Sequence, residues 1–234
     1  MTIDTNHHKS ILIRILKDVF TNTSIGPFLG FKGGTAAMLF YNLNRFSVDL
    51  DFDLLEKNKE TLVFEQIKEV LEKYGTLKKI QNKRYSLFFL LSYDKKLEGG
   101  YNIKVEINKR DFGSRFELKQ YLGISIPVMI QSDMAANKMV AMLERIGQAN
   151  RDIYDVWFFL HNHWPVNKKI IESRTELRYN QFLQKCIEHL EKITDRNILS
   201  GIGELLDEKQ KAWAKSNLRK ETIFLLKLAL DNEK

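Results

Sequence analysis

The chain has 234 residues, of which 44% are hydrophobic, 11% aromatic and 29% charged, an ordinary globular composition with room for one large core or two modest domains. No stretch approaches the ~20 unbroken apolar residues that a membrane span needs, and MTIDTNHHKS lacks the basic-then-apolar pattern of a signal peptide, so a cytoplasmic protein without membrane contact is expected. The net charge of +7 suits a polyanionic partner such as RNA, DNA or nucleotide phosphates, and equally suits a plain solvated lysine-rich surface.

SILIRILKDVF has apolar residues at helical spacing and predicts a helix from Ser10 to about Thr21, with His7 and His8 in a frayed terminus ahead of it. GPFLGFK fits a short buried strand, and Gly33, Gly34 and Thr35 then punctuate the chain before the helix-forming AAMLFYNL. FSVDLDFDLL alternates strictly and predicts a strand; Glu60 to Tyr74 predicts a helix. RYSLFFLLSY and YNIKVEINKR predict two further strands joined by the turn-like DKKLEGG. Eleven basic and five acidic residues between Lys78 and Lys119 concentrate the positive charge in this region.

From Ile130 onward the periodicity is helical throughout. The lone Cys186, in QFLQKCIEHL, excludes an internal disulfide and reads as a small core residue. HNHWP (His161–Pro165) has no matching metal ligands nearby and is assigned a structural role. The expected fold class is α+β: an α/β domain with a mixed sheet and flanking helices over residues 1–128, then a helical bundle over residues 129–234.

The chemistry centres on RFSVDLDFDLL. On a strand, Arg45, Ser47, Asp49, Asp51 and Asp53 share one face, while Phe46, Val48, Leu50, Phe52 and Leu54 form the core side. Neighbouring carboxylates repel unless a cation sits among them, and hard Mg²⁺ prefers such oxygen ligands together with water and phosphate oxygens. An exposed acidic strand face is the plain alternative, but Asp is disfavoured in strands. Upstream, the KGGT corner offers close backbone approach and helix N–H groups to a phosphate; it matches neither the Walker A loop nor the GxGxxG fingerprint. Glu106 lies on the polar face of its own strand and becomes a third carboxylate if that strand neighbours the aspartates. Lys138, on a helix among Ala and Met residues, needs an anionic partner, which a triphosphate supplies. Asp152 and Asp155 open the next helix, where the macrodipole alone favours acids.

GGTAAMLFYNLNRFSVDLDF resembles the opening motif of the AbiEii/AbiGii toxin family, nucleotidyltransferases of the DNA-polymerase-β-like superfamily, and AANKMVAMLERIGQANRDIYDVWFFL is similar to that family's Lys-helix and R-D-x-x-D helix. The resemblance runs from about Phe28 to Leu160 and implies a nucleotidyltransferase-type sheet. It further implies that Gly33, Gly34 and Thr35 hold nucleotide phosphates with support from Arg45 and Ser47, and that Asp49 and Asp51 are the metal ligands. Lys138 would contact the triphosphate and Asp152 would be a further essential acid; Glu106 as third metal ligand rests on strand geometry and the superfamily layout. The implied cofactor is Mg²⁺ or Mn²⁺, the substrate an NTP, the acceptor RNA such as a tRNA 3′ end, and the partner a separately encoded antitoxin. Transfer to a small molecule such as an antibiotic, a Mg-dependent nuclease and a non-catalytic nucleotide-binding module are the competing functions.

Overall fold

The alternating LDFDL run forms β2 (Leu50–Leu54), with Leu50, Phe52 and Leu54 buried and Asp51 and Asp53 on the opposite face. The computed structural model describes residues 4–93 and 102–233, so the predicted turn over residues 94–100 lies outside the described residues. The chain divides into two units, the first Met1–Asp111 with Arg115–Met129, the second Phe112–Ser114 with Ile130–Lys234.

The first unit is built on one mixed seven-stranded sheet. Its strands are β1 (Leu29–Lys32), β2, β3 (Thr76–Asn82), β4 (Ser86–Ser92), β5 (Asn102–Asn108), β6 (Phe116–Tyr121) and β7 (Ile124–Met129), in the spatial order β3-β4-β5-β2-β1-β7-β6. β2 and β5 are parallel, as are β1 and β7; the other neighbours are antiparallel. The register puts Phe31, Phe52, Ile107, Leu87 and Val128 on one face. Helices α1 (Thr5–Thr21) and α3 (Glu60–Glu72) cover that face, with Phe20 against Phe52 and Phe64 against Phe89. The helical run after Lys32 is α2 (Gly33–Phe40).

Three sequence expectations are corrected here. β2 begins at Leu50, and residues 46–49 run outside the ladder, so Arg45 and Ser47 are not on a strand face. β3, β6 and β7 are additional strands. The first helix starts at Thr5 rather than Ser10, because the Asp4 side chain caps it by accepting from the Asn6 and His7 amides.

His8 is therefore not frayed but buried, within 2.7 Å of the Tyr93 hydroxyl through Nδ1 and 3.0 Å of the Val48 carbonyl through Nε2. A carbonyl can only accept, so Nε2 carries the proton and Nδ1 accepts from Tyr93. Burial holds the imidazole pKa below 6.5, against the opposing influence of the Val48 carbonyl and the Asp49 charge. The unfolded chain then binds the extra proton first. The stability His8 contributes is complete above pH 6.5 and is lost as the pH falls toward the folded value. Urea titrations at pH 7 and pH 5 are expected to show a drop for the wild type that exceeds the drop for His8→Gln by up to ~1.4 kcal/mol per pH unit in that window. Equal drops would show that His8 does not stay neutral in the fold.

The second unit is helical: α4 (Gln131–Arg145), α5 (Arg151–His161), α6 (Lys168–Thr175), α7 (Tyr179–Lys192) and α8 (Glu208–Asp231). Asp133, fully buried, accepts from Asn167 at 2.8 Å and so ties the start of α4 to the segment before α6. Trp213 on α8 packs on Trp157 of α5 at 4.1 Å between ring centroids, and Arg219 grips Asp195 through two nitrogens. Trp164 of the HNHWP segment stacks on Phe159 at 4.0 Å. Cys186 is buried in α7, and burial pushes its thiol up to about 12. Among the described residues no helix is long and apolar enough to cross a membrane.

Candidate active site

Gly33 opens α2 directly after β1, with φ +80, a left-handed conformation that glycine adopts without steric cost. The corner lies tight against the aspartate segment. A Cβ at Gly33 would fall 2.9 Å from the Asp51 Cβ, and one at Gly34 would fall 2.8 Å from both Arg45 Nη2 and Ser47 Oγ. Thr35, fully buried, donates to the Asp49 carbonyl and lies 3.0 Å from Ser47 Oγ. Arg45 and Ser47 are thus buried braces of the corner, and Arg45 also donates to the Phe46 carbonyl at 2.8 Å. No side chain caps the start of α2, and the first amides of a helix lack partners within it, which is why a helix start suits an anion.

Across the sheet, Lys32 pairs with Asp51 in register, and Asp51 with Glu106 on the parallel β5. Same-face neighbours on adjacent strands stand ~5 Å apart, so Asp51 and Glu106 adjoin. Asp49, just ahead of β2, joins them. The side chain that meets all three is Lys104. Its ammonium lies 3.9 Å from Asp49, 3.5 Å from Asp51 and 3.2 Å from Glu106. Burial by itself would lower the Lys104 pKa, but the charges of Asp51, Asp49 and Glu106 outweigh it and the net shift is upward. Asp53 is set apart from this group, engaged by Lys32 and by Asn108 at 2.7 Å.

Among the described residues no three His, Cys, Asp or Glu side chains are close enough together to grip a metal ion. The carboxylates surround an ammonium at 3.2–3.9 Å, a wider spacing than the ~2.0–2.1 Å of Mg²⁺–oxygen bonds. The donor chemistry nevertheless fits a hard divalent cation: two or three carboxylates on one partly exposed face, converging on a position already held by a positive charge. Sequence reasoning missed Lys104 as part of this group. Its spacing two residues before Glu106 was the available signal.

Lys138 and Asp152 come together in the second unit. The Lys138 ammonium, on α4, lies 3.0 Å from Asp152 and 2.8 Å from Asp155, both on α5 and both fully buried. Arg145 adds a second cation 2.8 Å from the other Asp152 oxygen. Two buried carboxylates are thus balanced by two cations, the condition under which buried charge is tolerated.

The basic zone resolves unevenly. Lys109 pairs with Glu60 and Lys119 with Glu117, each at 3.0 Å, while Lys104 turns into the carboxylates. Lys79 and Lys83 remain exposed, lying 5.9 and 4.5 Å from the ring centroid of Phe88 on β4. Phe88 is opposite Glu106, so this basic and aromatic strip borders the carboxylates on the same sheet face. Lys95 and Lys96 lie outside the described residues.

This is the fold of the nucleotidyltransferases. A nucleotidyltransferase-like structure from Helicobacter pylori is similar over 100% of this chain and 99% of its own, with TM-score 0.64 and 18% identity. JHP933, also from Helicobacter pylori, is similar over 100% and 96% with TM-score 0.60 and 20% identity. MenT4, a nucleotidyltransferase toxin from Mycobacterium tuberculosis H37Rv, is similar over 95% and 84% with TM-score 0.58 and 19% identity. No curated protein matches the chain. The family model described as nucleotidyl transferase AbiEii toxin, type IV TA system, matches residues 14–222, and the chain belongs to that family. It is a nucleotidyltransferase of the toxin–antitoxin kind, and the family implies an NTP substrate and an antitoxin partner.

Proposed function

We propose that the protein transfers a nucleoside monophosphate from an NTP to the hydroxyl of an RNA acceptor, expected to be a tRNA 3′ end, in the cytoplasm and with Mg²⁺ or Mn²⁺ as cofactor. The observation that carries this reading is the convergence of Asp49, Asp51 and Glu106 on one cation beside the Gly33–Thr35 corner. The corner backbone would take the phosphate oxygens, and Arg45, Ser47 and Thr35 keep it in place. Asp49 and Asp51, with Glu106, would hold the metal. A divalent cation there supplies charge neutralisation on the phosphates and a more acidic acceptor hydroxyl. The acceptor hydroxyl gives up its proton to solvent as its oxygen forms the new bond to the α-phosphorus, the bond to the bridging oxygen breaks, and pyrophosphate leaves with that electron pair. Lys138 and Asp152 keep the roles that the family motif implies, as triphosphate contact and essential acid. The protein's own contribution is positioning and charge stabilisation.

RNA is favoured over a small acceptor because the strip of Lys79, Lys83 and Phe88 adjoins Glu106. Exposed cations interleaved with an aromatic ring suit a single strand, through phosphate attraction and base stacking. The test incubates the protein with Mg²⁺ or Mn²⁺, each labelled NTP in turn and total tRNA, beside Asp49→Ala. Label entering RNA with the wild type alone is the expected result. RNA cleavage without NTP would indicate a nuclease, and label appearing on a small acceptor would make the basic strip incidental. No transfer of label by the wild type, with NTP binding that survives loss of Asp51, would indicate a regulatory module.

A further inference from the structure

Asp49, Asp51 and Glu106 bring three negative charges to one face, and Lys104 returns one positive charge from within the same group. This is not a surface lysine resting on a convenient acid. Lys104 is opposite Leu90 on β4, in a strand flanked on both sides, and its side chain is only 25% exposed. Its neighbours at Ile103 and Val105 point into the core, so β5 cannot turn Lys104 outward without exposing them. The register therefore aims the ammonium at the carboxylates.

We propose that Lys104 is a tethered counter-ion: it holds the three carboxylates together before metal arrives and competes with a free divalent cation for them. The proposal rests on reading this face as the metal and nucleotide site. An ammonium surrounded at 3.2–3.9 Å keeps the carboxylates wider apart than divalent coordination needs, and it repels an incoming dication. Free metal accordingly binds weakly. With a triphosphate present, Lys104 would pair with its anionic oxygens, and Asp49, Asp51 and Glu106 would be released to hold a divalent cation. Loading of metal is thereby coupled to loading of nucleotide, and the site without nucleotide stays intact without a metal.

The test measures Mn²⁺ binding without nucleotide, by calorimetry and by the electron paramagnetic resonance of free Mn²⁺, for the wild type, Lys104→Gln, Lys104→Met, Lys104→Arg and Asp51→Asn. Lys104→Gln and Lys104→Met are expected to bind Mn²⁺ about tenfold or more tighter than the wild type, and Lys104→Arg to stay as weak as the wild type because it keeps the charge. The two neutral variants should melt lower than the wild type without metal and recover on adding Mn²⁺. Lys104→Met preserves the packed stem if glutamine disturbs the fold. Mn²⁺ affinity unchanged or weakened in both neutral variants, but lost in Asp51→Asn, would overturn the counter-ion role and leave the metal site standing. Binding indifferent to Asp51→Asn would overturn the site itself, and the role of Lys104 with it.

Discussion

Asp51→Asn is expected to lower nucleotidyl transfer by about 10³-fold while the unfolding midpoint stays within about 2 °C of the wild type. The amide keeps the shape of the side chain beside Gly33 but cannot supply a full negative charge to a cation. Stability should hold because Lys104 retains Asp49 at 3.9 Å and Glu106 at 3.2 Å, and removing one of three like charges relieves repulsion. The measurement is initial-rate transfer of label from NTP, paired with a thermal melt of the same preparation. Activity within tenfold of the wild type would remove Asp51 from the metal site.

Lys138→Ala is expected to act on the fold itself. The Lys138 side chain is 14% exposed, and its ammonium faces Asp152 and Asp155, both fully buried. Removing it takes from two buried carboxylates a cation that lies within 3.0 Å of both, at a cost of about 3–5 kcal/mol. For a chain of this size the midpoint should fall by about 6–20 °C. Lys138→Ala combined with Asp155→Asn should recover part of the loss, because one buried charge leaves with the ammonium. This bears on how the family's lysine is interpreted. An inactive Lys138→Ala that melts well below the wild type has lost a structural clamp, whereas an inactive variant with an unchanged melt has lost a group acting on the substrate.

Much of this architecture is legible in the chain. The core face of β2 follows from the alternation of Leu50, Phe52 and Leu54 with aspartates, and the helices from Gln131 onward follow from their apolar spacing. The missed strands have physical reasons. β3 is an edge strand reading TLKKIQN, exposed along most of its length, so it carries no core-facing signal. β6 is the other edge, with Leu118 73% exposed, which breaks the usual link between leucine and burial. β7 contains Pro127, whose missing amide argues against a strand; here β1 meets β7 only at Val128. The upstream half of the aspartate motif misled in another way. Arg45 and Ser47 alternate with apolar residues as a strand would, but they are buried against Gly34 and support the corner. The adjacency of Asp51 and Glu106 was legible only as a condition, because strand order is a tertiary fact that spacing does not encode. Lys104 was hidden by its own abundance. In a lysine-rich region it counts as one more surface charge until the register turns it inward.

β5 lies between β2 and β4 and joins the β3–β4 hairpin to the rest of the sheet. Until residues 102–108 have left the ribosome, the hairpin has no seat and Asp51 has no Glu106 opposite it. Pairings this distant along the chain form late, because the intervening loop must close first. A nascent chain interrupted before β5 carries Asp49 and Asp51 without Glu106 or Lys104. Synthesis itself thereby delays assembly of the carboxylate group: through almost half its length the polypeptide lacks two of the four charged side chains that meet there.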